Sequence, residues 1–125
     1  MPNVLVVGAT SAIAKQVARL YAEKFDTSSD TKCRLYIIGR NKLMIDKLSE
    51  TLDKVVVGKG VVDFTDYDQT TDAINTSYQV MGSFDYVLIA HGCIGDQILS
   101  ETDSSEALRV IQVNYTSVVM QLVLL

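Results

Sequence analysis

The stretch Val4-Leu-Val-Val-Gly-Ala-Thr-Ser-Ala-Ile-Ala14 decides the fold that the sequence predicts. Its apolar residues 4–7 do not alternate with polar ones, which is typical of a strand buried on both faces of a parallel sheet. Small residues follow from Gly8, and the chain then passes directly into a helical pattern. Small side chains at such a turn let main-chain N–H groups and the positive end of a helix approach a phosphate. The alternative is a tight turn that needs a glycine and binds nothing.

The same alternation of apolar runs and amphipathic stretches continues along the chain. Apolar runs recur at residues 35–38, within 55–62 and at 86–90, and helical patterns follow, the third over about 66–80 and the fourth from 104 or 105 to the end. Loops are predicted at 26–32 and 91–103, and helix N-caps at Thr65, Asp66, Ser104 and Ser105. The first two helices are predicted to bury Ile13, Val17, Leu20 and Tyr21, and Met44, Leu48 and Leu52, respectively. The order β-α-β-α-β-α-β-α predicts an α/β fold with a doubly wound parallel sheet.

The composition indicates one domain over residues 1–125 whose ligand is a small molecule. The chain has 48% hydrophobic residues and a net charge of −4, with 11 Lys and Arg against 15 Asp and Glu and no run of like charges. We therefore expect neither a nucleic acid nor a membrane as a partner, and no apolar run is long enough for a membrane span. Cys33 and Cys93 are far apart, which predicts no disulfide framework and no metal site and favours a cytoplasmic location.

The spacing around the first turn excludes three other phosphate sites. A P-loop would need Gly and Lys at Ile13 and Ala14, and the fingerprint Gly-x-Gly-x-x-Gly would need glycines at Thr10 and Ile13. A phosphorylated receiver domain would need acidic residues directly after the first strand, where this sequence has none.

Residues 7–14 instead resemble the turn Thr-Gly-x-x-x-Gly-Ile-Gly of the short-chain dehydrogenase/reductase family. Gly8 and Ile13 match the family, and alanines stand in place of its second and third glycines. The resemblance implies a Rossmann-like sheet that binds a nicotinamide dinucleotide at this turn, with hydroxyls from Thr10 and Ser11 nearby. The added methyl groups should cost the pyrophosphate some room.

The end of the second strand, Gly39-Arg40-Asn41, bears on the choice of cofactor. No Asp or Glu stands where a carboxylate would bind the hydroxyls of the adenine ribose. A guanidinium pairs bidentately with a phosphate, so Arg40 predicts NADP rather than NAD. The alternative is a solvated arginine at the start of a helix.

The resemblance assigns further roles at the ends of the third and fourth strands and in the last helix. Asp63 would bind the adenine amino group, with the Phe64 amide beside it. The fourth strand ends with Ile89-Ala90-His91-Gly92, where the family usually has Asn-Asn-Ala-Gly, and only Gly92 is retained. Ala90 would lie near the adenosine, and Gly92 would let the main chain lie against the ribose. Asn114, in a Val-Asn pair, would bend its helix, and its main chain would hold a water of the proton relay. Plainer alternatives are a capping Asp63 and an Asn114 that faces solvent. His91 is interpreted as a loop residue near the cofactor, and acid-base catalysis is the alternative for it. The implied cofactor-binding residues are Gly8, Thr10, Ser11, Ala12, Ile13, Arg40, Asp63, Phe64, Ala90, His91 and Gly92, and the implied catalytic residue is Asn114.

The family's catalytic Tyr, with a Lys four residues later, lies beyond the helix that carries the Asn. None of the six tyrosines here has a Lys at that spacing. We therefore expect the cofactor-binding half of an NADP-dependent oxidoreductase that interconverts an alcohol and a carbonyl, truncated after the fourth strand and the following helix and inactive by itself. The alternative is a non-catalytic sensor or scaffold that binds NAD(P). The uncovered fourth strand and last helix predict a homo-oligomer.

Overall fold

The computed structural model describes residues 2–25, 33–92 and 97–125 of the chain. Its four parallel strands form one sheet in the order β3-β2-β1-β4: β1 (Asn3–Val7), β2 (Arg34–Gly39), β3 (Val56–Val61) and β4 (Tyr86–Ile89). Val6 of β1 lies opposite Ile37 of β2 on one side and Leu88 of β4 on the other. The predicted α/β fold with a parallel sheet is therefore confirmed. The predicted loop at residues 26–32 and Cys93 lie outside the described residues.

The helices of the described residues are α1 (Ala12–Phe25), α2 (Lys42–Thr51), α3 (Tyr67–Met81), α4 (Gln97–Thr102), α5 (Ser104–Ile111) and α6 (Ser117–Leu124). A π-helical turn, Gln112–Thr116, joins α5 to α6. Residues Ser104–Leu124 thus form one continuous helix, called the last helix below.

Side chains of β1 enter two apolar clusters, one on each face of the sheet. Val4 and Val6 pack with residues of α1 and α2, whereas Leu5 and Val7 pack with residues of α3 and the last helix. Because helices cover both faces, the sheet is doubly wound. The strand order changes direction between β1 and β4, so the topological switch point, where such sheets bind ligands, lies at the ends of these two strands.

The prediction of which side chains the first two helices bury was partly wrong. In α1 the buried residues are Ala14 and Ala18, whereas Ile13 is 75% exposed and Leu20 is 62% exposed. Small alanines let the helix approach the sheet closely, so the larger apolar side chains beside them turn outward. In α2, Ile45 and Leu48 are buried, and Met44, expected to be buried, is exposed.

The two outer strands are less buried than a strand inside a parallel sheet, which is what their apolar residues predict. Residues of β3 alternate between half-buried and exposed, and Tyr86 and Val87 of β4 are exposed. Both strands lie at an edge of the sheet among the described residues, whereas β1 and β2 lie inside it and are buried nearly throughout. An apolar run therefore identified each strand but did not distinguish a central strand from an edge strand.

Two local predictions need correction between β3 and the last helix. Asp66 caps α3, as predicted, by accepting a hydrogen bond from the Gln69 N–H. The cap of α5 is Asp103 rather than a serine, and its carboxylate accepts from the Ser105 N–H. The predicted loop at 91–103 contains helix α4. Hydrophobic periodicity did not predict this short helix, since its apolar residues Ile98 and Leu99 are exposed and form no buried face.

The last helix is apolar and only partly covered. Val119, Leu122 and Val123 are exposed, whereas Leu124 and Leu125 pack against the cluster that contains Leu5. By length and composition alone its 21 residues could cross a membrane. Helices that pack in soluble proteins meet the same criterion, so this property does not by itself place the chain in a membrane.

Candidate functional site at the switch point

The turn after β1 lies against the segment that follows β4. Gly8 has a φ of 82°, and a Cβ atom placed on it would lie 2.3 Å from the main-chain nitrogen of His91 and 2.7 Å from the carbonyl carbon of Ala90. The Gly8 N–H donates to the carbonyl oxygen of Ile38 at the end of β2. Glycine at this position therefore brings the ends of three strands together, both by its backbone conformation and by its lack of a side chain.

The first turn of α1 offers hydrogen-bond donors at the same edge of the sheet. Ser11 Oγ accepts a hydrogen bond from the Ala14 N–H at 3.1 Å, which caps the helix. Within the described ranges, the N–H groups of Ala12 and Ile13 donate to no protein acceptor. Free N–H groups at the positive end of a 14-residue helix are suited to an anion such as a pyrophosphate.

Two adjoining clefts border this turn. The smaller, of about 240 Å³, extends from Gly8 and Ser11 to His91 and Gly92. The larger, of about 610 Å³, lies over the end of β3. They share Arg40, Asn41, Phe64 and Val113, so together they form a groove across the switch-point edge of the sheet.

Arg40 lies where the two clefts meet. Its side chain is exposed, and in the described part of the chain its guanidinium makes no hydrogen bond or ion pair. The side chain of its neighbour Asn41 does make a hydrogen bond, since Asn41 Oδ1 caps α2 by accepting from the Met44 N–H. The cap occupies the side-chain oxygen of Asn41, whereas the guanidinium of Arg40 keeps all of its donors available to the groove.

Asp63 lies in the larger cleft in a fixed orientation. Its Oδ1 accepts hydrogen bonds from Thr65 Oγ1 at 2.6 Å and from the Thr65 N–H at 2.9 Å. These bonds hold the pKa of the Asp63 carboxyl below its usual value, so the group is a carboxylate at neutral pH. The predicted adenine-binding residue is therefore a charged, exposed acceptor that also orders its own turn.

His91 and Phe64 form a stacked pair in the wall of the smaller cleft. Their ring centroids lie 3.9 Å apart and the ring planes differ by 5°. Burial lowers the pKa of His91 to about 4, so the imidazole is neutral near pH 7. His91 Nε2 lies 2.7 Å from the side-chain nitrogen of Gln121 in the last helix.

Asn114 lies in the middle of the π turn. Its Oδ1 lies 3.3 Å from the position that a Cβ on Gly92 would occupy, although the residue as a whole is exposed. A π turn inside an α-helix is uncommon and is frequent at functional sites. Here it places Asn114 beside the segment that follows β4. Asn114 is thus exposed to solvent, as one alternative predicted, and also lies beside a predicted site residue, Gly92.

The structure brings most of the predicted site residues into one groove. The predicted site residues that line it are Gly8, Thr10, Ser11, Arg40, Asp63, Phe64, Ala90, His91 and Gly92. Ala12 and Ile13 do not line the clefts and contribute main-chain N–H groups at the helix end instead. Sequence reasoning missed Val113, Arg109 and Gln121: Val113 lines both clefts, and Arg109, paired with Glu106, lines the larger one. Gln121 had a signal in the sequence, since it is a lone amide in an apolar run seven residues after Asn114.

One comparison with known proteins identifies a family. A sequence profile described as short chain dehydrogenase matches residues 2–124. Among curated proteins, no match was found.

Solved structures of the same fold are similar over nearly the whole chain. A short-chain dehydrogenase/reductase of Brucella melitensis, described as a glucose/ribitol dehydrogenase, has a TM-score of 0.77 at 15% identity over 95% of this chain and 48% of its own. One from Saccharomyces cerevisiae has a TM-score of 0.77 at 20% identity over 96% of this chain and 46% of its own. A variant of actinorhodin polyketide ketoreductase, solved with NADPH, has a TM-score of 0.77 at 21% identity over 95% and 44%.

At these identities the structures show the fold, and this chain spans a little under half of the length of each. The family assignment rests on the profile match, which covers all but the first and last residues. The chain therefore belongs to the short-chain dehydrogenase family.

Proposed function

We propose that this chain is the NADP-binding part of an oxidoreductase that, in its complete form, interconverts an alcohol and a carbonyl compound. The observation that carries the proposal is the unpaired guanidinium of Arg40 in the groove, near the free N–H groups of Ala12 and Ile13. These are the donors that a dinucleotide with one additional phosphate requires.

The donors and acceptors along the groove correspond in turn to the polar groups of such a dinucleotide. The end of α1 would hold the pyrophosphate, Arg40 the 2′-phosphate and Asp63 the adenine amino group. Gly8 and Gly92 line the smaller cleft, and Val113 adds an apolar side chain to its lining. When bound, a nicotinamide dinucleotide supplies the hydride chemistry of the reaction.

The remaining part of the reaction needs a proton donor and acceptor at the substrate oxygen. His91 is not suited to that role, since burial lowers its pKa to about 4 and one of its ring nitrogens is held by Gln121. We therefore assign this chain to binding and orienting the cofactor, with Asn114 in the π turn as the residue nearest to the reaction.

The proposal is tested by titrating the chain with NADPH and with NADH. We expect NADPH to bind about ten- to a hundredfold more tightly, as one charge-assisted bidentate contact predicts. Arg40→Ala should remove most of this preference while leaving NADH affinity nearly unchanged. Arg19→Ala is the matched control, because it removes the same charge from an exposed position of α1 that lines a different cleft. Equal affinities for the two nucleotides in the unmutated chain would refute the assignment of NADP.

A further inference from the structure

The last helix carries a polar stripe that faces the segment after β4. Asn114, Ser117 and Gln121 follow one another at spacings of three and four residues in a mostly apolar stretch. Ser117 and Gln121 are 0% exposed. Asn114 adjoins Gly92, and Gln121 contacts His91, so this one stripe reaches two consecutive residues of the groove.

Gln121 uses both hydrogens of its amide group. Its Nε2 lies 2.7 Å from His91 Nε2 and donates to Ser117 Oγ at 3.0 Å. With Gln121 as the donor, His91 Nε2 is the acceptor, and the ring proton of the neutral imidazole resides on Nδ1. Gln121 Oε1 and His91 Nδ1 are both buried and have no hydrogen-bond partner in the described part of the chain.

Packing does not account for a glutamine at this position. Burying an amide with an unpaired oxygen is unfavourable, and a leucine or methionine would fill the same volume without that cost. What a glutamine provides here, and an apolar residue does not, is a hydrogen bond to the imidazole. That bond fixes both the tautomer and the position of a ring that stacks on Phe64.

We propose that Gln121 is a positioning residue of the cofactor site: through its hydrogen bond to His91 it holds the His91–Phe64 stack that forms the wall of the smaller cleft. Both rings line this cleft together with Gly8 and Arg40, so displacing the imidazole moves a surface on which the nucleotide lies. The inference rests on the proposed function, because it assigns Gln121 to nucleotide binding.

A double-mutant cycle tests whether Gln121 acts through His91. The dissociation constant of NADPH is measured for the unmutated chain, Gln121→Leu, His91→Ala and the double variant. We expect Gln121→Leu to weaken binding about five- to tenfold, the effect of losing one buried hydrogen bond. The double variant should bind no more weakly than His91→Ala alone, because Gln121 then has nothing left to position. Gln79→Leu, the same substitution at an exposed position of α3, should leave the affinity unchanged.

A spectroscopic measurement on the unmutated chain keeps the inference testable if Gln121→Leu does not fold. His91 is the chain's single histidine, so long-range ¹H–¹⁵N spectra report its tautomer without ambiguity. We expect the Nδ1–H form in the unmutated chain, and a mixture of the two tautomers in Gln121→Met, which keeps the volume but removes the donor.

The outcomes separate this inference from the proposed function. NADPH affinity unchanged in Gln121→Leu, additive losses in the double variant, or an Nε2–H tautomer in the unmutated chain would each overturn the role of Gln121 and leave NADP binding standing. If the unmutated chain binds neither NADPH nor NADH, the proposed function fails and this inference fails with it.

Discussion

Replacing Gly8 by alanine should destabilise the chain. Gly8 has a φ of 82°, and its added Cβ would lie 2.3 Å from the His91 nitrogen, closer than real atoms approach. A left-handed conformation costs a residue with a side chain about 1–2 kcal/mol. Pushing the segment after β4 away from β1 costs about 1–3 kcal/mol more, as overpacking generally does. We therefore expect Gly8→Ala to lower the free energy of unfolding by about 2–5 kcal/mol.

Gly82 provides the matched control for this substitution. Its φ is 79°, almost the same as that of Gly8, but nothing lies within 4 Å of an added Cβ. Gly82→Ala should therefore show a conformational cost alone, of about 1–3 kcal/mol for a sparsely populated backbone conformation. Denaturant unfolding followed by circular dichroism gives both values, and the difference between the variants measures the contact with His91. If the two variants are equally destabilised, the close approach of β1 and β4 does not limit residue 8 and the reasoning is refuted.

Three further predictions concern the fold and its surface. Burial lowers the pKa of His91 from 6.5 to about 4, so the unfolded chain binds a proton at this residue before the folded chain does. The free energy of unfolding should therefore decrease by about 1–2 kcal/mol as the pH falls from 6.5 to 4, a value reduced for the solvent contact of the ring. In urea unfolding, His91→Ala should lack this pH dependence. Asp66→Ala should cost about 1 kcal/mol by removing the α3 cap, and Asp68→Ala, in the same turn, clearly less. Val123→Lys should shift the chain towards monomer in light scattering, whereas Leu43→Lys, at an equally exposed position of α2, should not; a monomeric unmutated chain would contradict this prediction.

The order of the elements could be predicted from the sequence because each strand appears as an apolar run between two helical patterns or before the first one. Exposure could not be predicted as well, since it depends on the neighbours that a strand or helix acquires. β4 is as apolar as a central strand but, among the described residues, has a partner on one side only. Ile13 has the right spacing for a buried helix face, yet Ala14 takes that place because the helix approaches the sheet closely.

The candidate site could be predicted where a residue type is required by the backbone, and less well where it depends on a distant partner. The apolar run and small turn located Gly8, and the strand ends located Arg40 and Asp63. Nothing local identified Gln121 as a neighbour of His91, because that contact joins residues thirty positions apart. A polar residue in an apolar helix indicated that some partner exists without indicating which one.

The two alanines that replace family glycines lie in different surroundings. Ala14 is 0% exposed and packs in the cluster of Val4 and Val6, so its methyl group contributes to the contact between α1 and the sheet. Ala12 is exposed and does not line either cleft. The Ala14 methyl group thus points away from the groove, and the expected loss of room for the pyrophosphate concerns Ala12 alone. Gly8 is the position of this turn where the structure requires a glycine. Its φ is positive, and the segment that follows β4 leaves no space for a Cβ atom. It is also the one family glycine of the turn that this sequence retains.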